Sequence, residues 1–140
     1  YKLAPVADRA AETAARNILS GEAVRLDAAV VPSVVFTLPP LASVGLTETA
    51  AREMGVDVGI NQGSAARWPS SRRIGQTRAC YKVLLDSRNN VIRGAHLLMH
   101  NAGEMINIFA LAMQQRLTAA RLKRVLWAYP TSISDIKYML

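Results

Sequence analysis

Near the end of the chain, Ala128 to Asp135 reads AYPTSISD and gathers a phenol, three hydroxyls and a carboxylate. Tyr129 and Asp135 are the two groups there that could take part in acid–base or hydrogen-bonding chemistry. A phenol titrates near ~10, so Tyr129 is a poor proton shuttle at neutral pH beside an imidazole near ~6.5. Two readings stay open. Tyr129 hydrogen-bonds to or gates a substrate, or Tyr129-Pro130 ends one helix and Thr131 or Ser132 begins the next. The two histidines do not replace a base: His96 lies in the apolar run GAHLLM and reads as hydrogen-bonded structure, and His100 reads as a loop partner before a helix cap. Cys80 is the single cysteine, which excludes an internal disulfide and any Cys-based metal cluster. In ACYKVLL it reads as a small core residue. No metal site is expected, and no pocket-forming set of titratable groups surrounds Tyr129 and Asp135, which disfavours a freestanding enzyme.

The elements that must position these groups follow from periodicity. Residues 5–19 predict a helix with Pro5 in its first turn and Ser20-Gly21 as its stop. VVPSVVFT predicts a strand that Pro32 confines to an edge or bulge. TLPPLASVG cannot be helical, because its prolines remove donors and fix the backbone. Thr47 can cap a short helix ended by Gly55, and VDVGIN starts another strand. Residues 62–77 read as irregular or strand-like. CYKVLLD and VIRGAHLLM around SRNN predict a β-hairpin. Residues 101–117 predict the longest helix, with Asn101 and Glu104 spaced as a capping box. Its apolar residues exceed one stripe, so more than one face needs cover. Met99, Met105 and Met113 would suit adaptable packing there. A short helix before Pro130 and a helical stub close the chain. The fold class expected is α+β: an antiparallel sheet of about four to five strands with helices packed on one face.

Composition sets the bounds. The chain has 140 residues, 51% apolar and 19% charged, which suits a folded domain with its own core. No apolar run reaches the roughly 18–20 residues of a membrane helix, so no membrane partner is expected. No signal peptide is recognisable, and the opening Tyr suggests an excised piece. With one cysteine, a cytoplasmic setting is expected. The formal charge of +7 concentrates at Arg67, Arg72, Arg73 and Arg78 and again at Arg116, Arg121, Lys123 and Arg124. Charge alone licenses only non-specific attraction to anions. A solvated basic face is favoured over a nucleic-acid groove.

Four segments, in order, resemble one family. LAPVADRAAETAARNIL is similar to the segment after the second flavin-contact motif of the pyridine nucleotide–disulfide oxidoreductases. VVFTLPPLASVGLTETAA resembles the opening of their C-terminal interface domain, and GAHLLMHNAGEMINIFALAMQQRLT its central helix with the preceding strand. AYPTSISD aligns with the family's His-Pro-Thr-x-x-Glu segment. The resemblance covers nearly the whole chain. It implies a dimerisation domain at 29–140, preceded at 1–28 by a helix belonging to a missing flavin domain. It also implies a homodimer whose C-terminal segment serves the partner subunit's active site, FAD and NAD(P)H as cofactors of the parent oxidoreductase, and none bound to this fragment. No GxGxxG occurs, and a single cysteine cannot form a redox pair. The fragment alone is therefore expected to be inactive. Tyr129 stands where the family has its acid–base His, Ser134 where the orienting acid would be, and Asp135 one residue later. The flavin-contacting amides map to Leu3, Ala4 and Pro5, although Pro5 has no N–H. The other reading is an independent basic module for nucleic acid or an acidic partner. Glutathione-like disulfides, Hg(II), lipoamide and quinones all remain open as the parent's substrate.

Overall fold

The computed structural model describes residues 2–26 and 28–140. Its contacts divide into two compact units, residues 1–31 and 32–140.

The first unit is built on α1, Ala4–Ser20. Pro5 occupies its first turn, and Gly21 stops it with a left-handed φ of 69°, its N–H reaching the Asn17 carbonyl. Asn17 then brackets the chain beyond the stop, donating to the Val24 carbonyl at 2.9 Å and accepting from the Val24 N–H at 3.0 Å.

The second unit holds a five-stranded antiparallel sheet in the order β1-β2-β5-β4-β3. The strands are β1 (Ser33–Val35), β2 (Leu41–Gly45), β3 (Val58–Ser64), β4 (Cys80–Asp86) and β5 (Ile92–Leu98). Pro32 precedes the edge strand, where its missing donor does no harm. Register and side-chain alternation divide the sheet into two faces. Ala42, Val44, Val83, Ala95 and Leu97 are buried on one of them, and α4 (Ala102–Gln114) packs across β2 and β5. Its Met105, Ile106 and Phe109 are wholly buried; truncating such an aromatic side chain to Ala costs about 3–5 kcal/mol. The opposite face carries the cross-strand row Ser43, His96, Lys82 and Gln62. The short helix α2 (Glu48–Glu53) reaches that row, where Glu48 pairs with Lys82 at 3.1 Å. Thr47 caps α2 by accepting from the Ala50 N–H at 3.1 Å, and Gly55 follows it at φ 66°.

The remaining elements are α3 (Pro69–Arg72), α5 (Ala119–Lys123) and a 3-10 helix, Ile133–Tyr138. Thr118 caps α5 through the Arg121 N–H.

Several expectations need correction. LASVG, read only as non-helical, is strand β2, since Ala42 and Val44 point into the core between partners on β1 and β5. Asn101 stands at the start of α4, but its φ of 59° turns the side chain away from capping. Its amide donates instead to Ser132 Oγ at 3.1 Å. Met99 and Met105 are buried in the core and offer no surface, and Met113 is half-buried. Cys80 is exposed at the start of β4, because alternation places it on the uncovered half of the second face. The helix expected before Pro130 ends early: beyond Arg124 the chain runs through Trp127 and Pro130 without regular structure.

Candidate functional site at the C-terminal segment

The last sixteen residues begin as an exposed apolar strip and end inside the core. Val125, Leu126 and Tyr129 are exposed, Leu126 at 98% and Tyr129 at 78%. Ile136, Met139 and Leu140 are buried. Between them the hydroxyls make local structure. Thr131 Oγ1 donates to the Ala128 carbonyl at 2.6 Å and accepts from the Ser134 N–H at 3.2 Å. Ser134 Oγ donates back to the Thr131 carbonyl at 2.6 Å. This is the competition between side chain and backbone that opens a helical turn. Thr131 therefore starts the 3-10 helix, and the peptide bond between Tyr129 and Pro130 is cis.

The two candidate chemical groups are not joined. Asp135 is 7% exposed, and its carboxylate accepts from the Ser70 hydroxyl of the loop after β3. No hydrogen bond links it to the Tyr129 phenol, which projects from the strip with no partner among the described residues. Asp135 thus acts as a clamp between the tail and residues 65–79. Trp68 strengthens that clamp, its ring 5.4 Å from that of Tyr81 and 5.6 Å from that of Tyr138. The Tyr81 hydroxyl donates to the Tyr138 carbonyl at 3.3 Å. Sequence reading missed Ser70; its only signal was a Ser-Ser pair in a segment of no clear period.

One polar atom in the strip is orphaned. The indole Nε1 of Trp127 is buried and has no hydrogen-bond partner among the described residues. Buried N–H groups left unmade cost about 1–3 kcal/mol.

The histidines behave as structure. His96 Nε2 lies 3.0 Å from the Leu46 carbonyl, which can only accept, so Nε2 carries the proton. Nδ1 then accepts from Ser43 Oγ at 2.6 Å in the neutral ring. The His100 backbone N–H donates to Gln76 Oε1 at 2.8 Å. An open cleft of about 910 Å³ on the second face of the sheet, bordered by Glu48, Arg52, Cys80, Lys82 and His96, includes neither Tyr129 nor Asp135. Among the described residues no group of three or more His, Cys, Asp or Glu could hold a metal ion. Among them, too, no helix is long and apolar enough to cross a membrane.

Leu3, Ala4 and Pro5 lie at the opening of α1. The Leu3 carbonyl accepts from the N–H groups of Val6 and Ala7, both at 3.1 Å. Among the described residues the Leu3 and Ala4 amides donate to nothing, and Pro5 has no N–H. Free amides at a helix N-terminus suit an electron-rich oxygen.

A five-stranded antiparallel sheet backed by one long helix, with a tail anchored at its end and greasy at its start, defines an interface domain. The model of the pyridine nucleotide-disulphide oxidoreductase dimerisation domain matches residues 31–140, so the chain belongs to that family. It is 38% identical over 138 residues to an "uncharacterized 19.7 kDa protein in mercuric resistance operon" of Staphylococcus aureus, covering 99% of this chain and 77% of that protein. It is 33% identical over 124 residues to mercuric reductase of Bacillus cereus, covering 89% of this chain but 20% of the enzyme. The structure of the HOCl-induced flavoprotein disulfide reductase RclA of Escherichia coli superposes with a TM-score of 0.80 at 33% identity, over 89% of this chain and 29% of that one. The chain therefore spans most of the short staphylococcal relative and less than a third of these two full-length reductases.

Proposed function

We propose that this domain joins two copies of an FAD-dependent, NAD(P)H-linked oxidoreductase, and that its C-terminal segment lies against the partner subunit's active site. The observation that carries the reading is the exposed apolar strip Val125–Tyr129, held on a tail whose far end is buried. Large apolar side chains left open in this way mark surfaces built for association. Leu111 of α4, 54% exposed, and the orphaned Trp127 indole add to the same reading, since a second chain would cover the one and could supply an acceptor to the other. An isologous contact uses one such strip on each copy.

The cofactors belong to the parent protein. Bound FAD supplies the electron relay between nicotinamide and substrate. The free Leu3 and Ala4 amides would face an oxygen of its ring system, while Pro5 sets the backbone and donates nothing. Residues 1–28 then belong with the flavin domain. Tyr129 takes the place of the family's acid–base histidine as a hydrogen-bond donor or gate toward the partner's substrate. Asp135, tied to Ser70, positions the tail and transfers no proton. Without flavin- and nucleotide-binding portions the 140 residues do not turn over. The relatives' names divide among a mercuric reductase, a dihydrolipoyl dehydrogenase and a leghemoglobin reductase. What they share is pyridine-nucleotide-linked oxidation and reduction, and that class is the one proposed here.

Sedimentation equilibrium of the chain at micromolar concentration tests the interface. A dimer is expected. A strictly monomeric species would remove the reading.

A further inference from the structure

The net charge of the chain sits on three elements that are packed in series. The first is the loop from Ala65 to Ala79, which leaves and rejoins the sheet at one point: the Ala65 N–H donates to the Ala79 carbonyl at 2.9 Å, and both alanines are buried. This is a compact surface loop with closed ends. Ser71 is buried inside it, Ser70 is tied to Asp135, and Trp68 stacks on Tyr81 and Tyr138. A loop fastened at so many points shows its side chains from a fixed platform. Those side chains include Arg67, Arg72, Arg73 and Arg78, all exposed, and none of their guanidinium groups has an ion-pair or hydrogen-bond partner among the described residues.

The 3-10 helix Ile133–Tyr138 is the second element, and it adds Lys137, whose ammonium lies 4.9 Å from the Tyr138 ring centre. It packs against the third element, α5. There Arg121, Lys123 and the adjoining Arg124 are exposed and also lack carboxylate partners among the described residues. Asp135 is the one acid on these elements, and its carboxylate accepts from Ser70 instead of from an arginine. Taking these eight cations and Asp135 from the 17 Lys and Arg and the ten Asp and Glu leaves nine of each sign. The rest of the chain is neutral, and the whole +7 resides here.

We propose that this surface docks a nucleic-acid backbone without reading its sequence. Six of the eight cations are arginines, whose planar fork matches two phosphate oxygens at once and which are more weakly hydrated than ammonium groups. A phosphate chain gains affinity by releasing counterions and needs no pocket. A protein partner of comparable affinity would need a central anchor site. The aromatic residues of these elements and the adjoining strand, Trp68, Tyr81 and Tyr138, are engaged in ring contacts centred on Trp68. Read along the linear sequence, the two basic segments favoured a solvated basic face, since charge alone licenses only non-specific attraction to anions. The fold joins them through the C-terminal helix and leaves their acid engaged elsewhere.

Fluorescence anisotropy with a short labelled duplex DNA of mixed sequence tests the proposal, using the full 140-residue chain. Between about 50 and 200 mM salt, the plot of log K against log salt should fall with a slope of about −3 or steeper, as several phosphates are neutralised. Replacing Arg72, Arg73 and Arg78 together by Gln should weaken binding about tenfold or more at the lower salt, as should Arg121, Lys123 and Arg124 together. Replacing Arg52 and Lys82 by Gln removes charge from α2 and the second face of the same sheet, outside the three elements, and should change affinity by less than about twofold. Circular dichroism establishes that each variant is folded, and the two patch variants are independent of one another. No binding at the lower salt overturns the proposal, as does an equal loss in the Arg52 and Lys82 variant. Displacement of the duplex by polyglutamate as effectively as by unlabelled DNA, charge for charge, would assign the surface to an acidic protein and also overturn it.

Discussion

The Ser70 hydroxyl donates to the Asp135 carboxylate across 65 positions of sequence, and this bond fastens the arginine-bearing loop to the C-terminal tail. Asp135, one residue beyond the position where resemblance would place the family's acid, holds two surface segments together through this bond. Ser70→Ala leaves a buried carboxylate without its donor, which costs about 1–3 kcal/mol. Its urea midpoint should fall accordingly. Trypsin should also cut within Arg67–Arg78 faster than in the parent chain, because the loop loses an anchor. An unchanged midpoint together with an unchanged cleavage rate would show that the bond holds nothing.

The β4–β5 hairpin supplies a pH-dependent contribution. Asp86 accepts from Arg93 Nη2 at 2.6 Å and Nε at 2.9 Å, and from the Arg88 N–H at 3.0 Å. The Arg93 side chain first, and then the Arg88 amide, hold the carboxyl below its ordinary value. A depressed carboxyl pKa gives stability that is complete above the unfolded value, ~3.9, and is lost as pH falls through the folded value. The difference in urea midpoint between the parent and Asp86→Asn should therefore be steady from about pH 7 to 5 and narrow below about pH 4. A difference that stays constant into strong acid would contradict this account.

The sheet and the long helix were legible because their signals are local. The alternation of CYKVLLD, the turn residues of SRNN and the stripe of Ile106 and Phe109 each depend on neighbours a few positions away. Strand β2 was not legible, because LASVG is short, follows two prolines and is stabilised by partners from β1 and β5. Nor was the role of Asp135: its donor lies in a loop with no periodic pattern, and only the closed fold brings Ser70 to it. Asn101 misled for the opposite reason. Its spacing to Glu104 is that of a capping box, but Ser132 competes for the side chain and the backbone turns left-handed.

Gly94 has a steric task, and Gly55 a conformational one. A Cβ on Gly94 would stand 2.1 Å from the Leu46 carbonyl oxygen, a backbone atom that also accepts from His96. Gly55 adopts φ 66° in open space. Gly94→Ala should therefore cost more than about 2 kcal/mol, since β5 and the chain leading into α2 must separate. Gly55→Ala should cost about 1 kcal/mol, the usual penalty for a side chain in the left-handed region. Denaturant unfolding gives the order directly, and a reversed order would refute the close packing of Leu46 on β5.

Leu126 separates the roles of the tail in association and in chemistry. At 98% exposure it contributes nothing to the fold of one chain, so Leu126→Arg should leave the urea midpoint within about 0.5 kcal/mol of the parent. At an isologous contact, however, each dimer would bring in two such charges, and sedimentation should shift toward monomer by about tenfold or more in Kd. Tyr129→Phe tests the other role in the complete oxidoreductase. It keeps the ring and removes only the hydroxyl, so the dimer should persist while turnover at saturating substrate falls if the phenol donates in the reaction. Unchanged turnover with an intact dimer would confine Tyr129 to packing, and a Leu126→Arg chain that still dimerises would move the interface away from this strip.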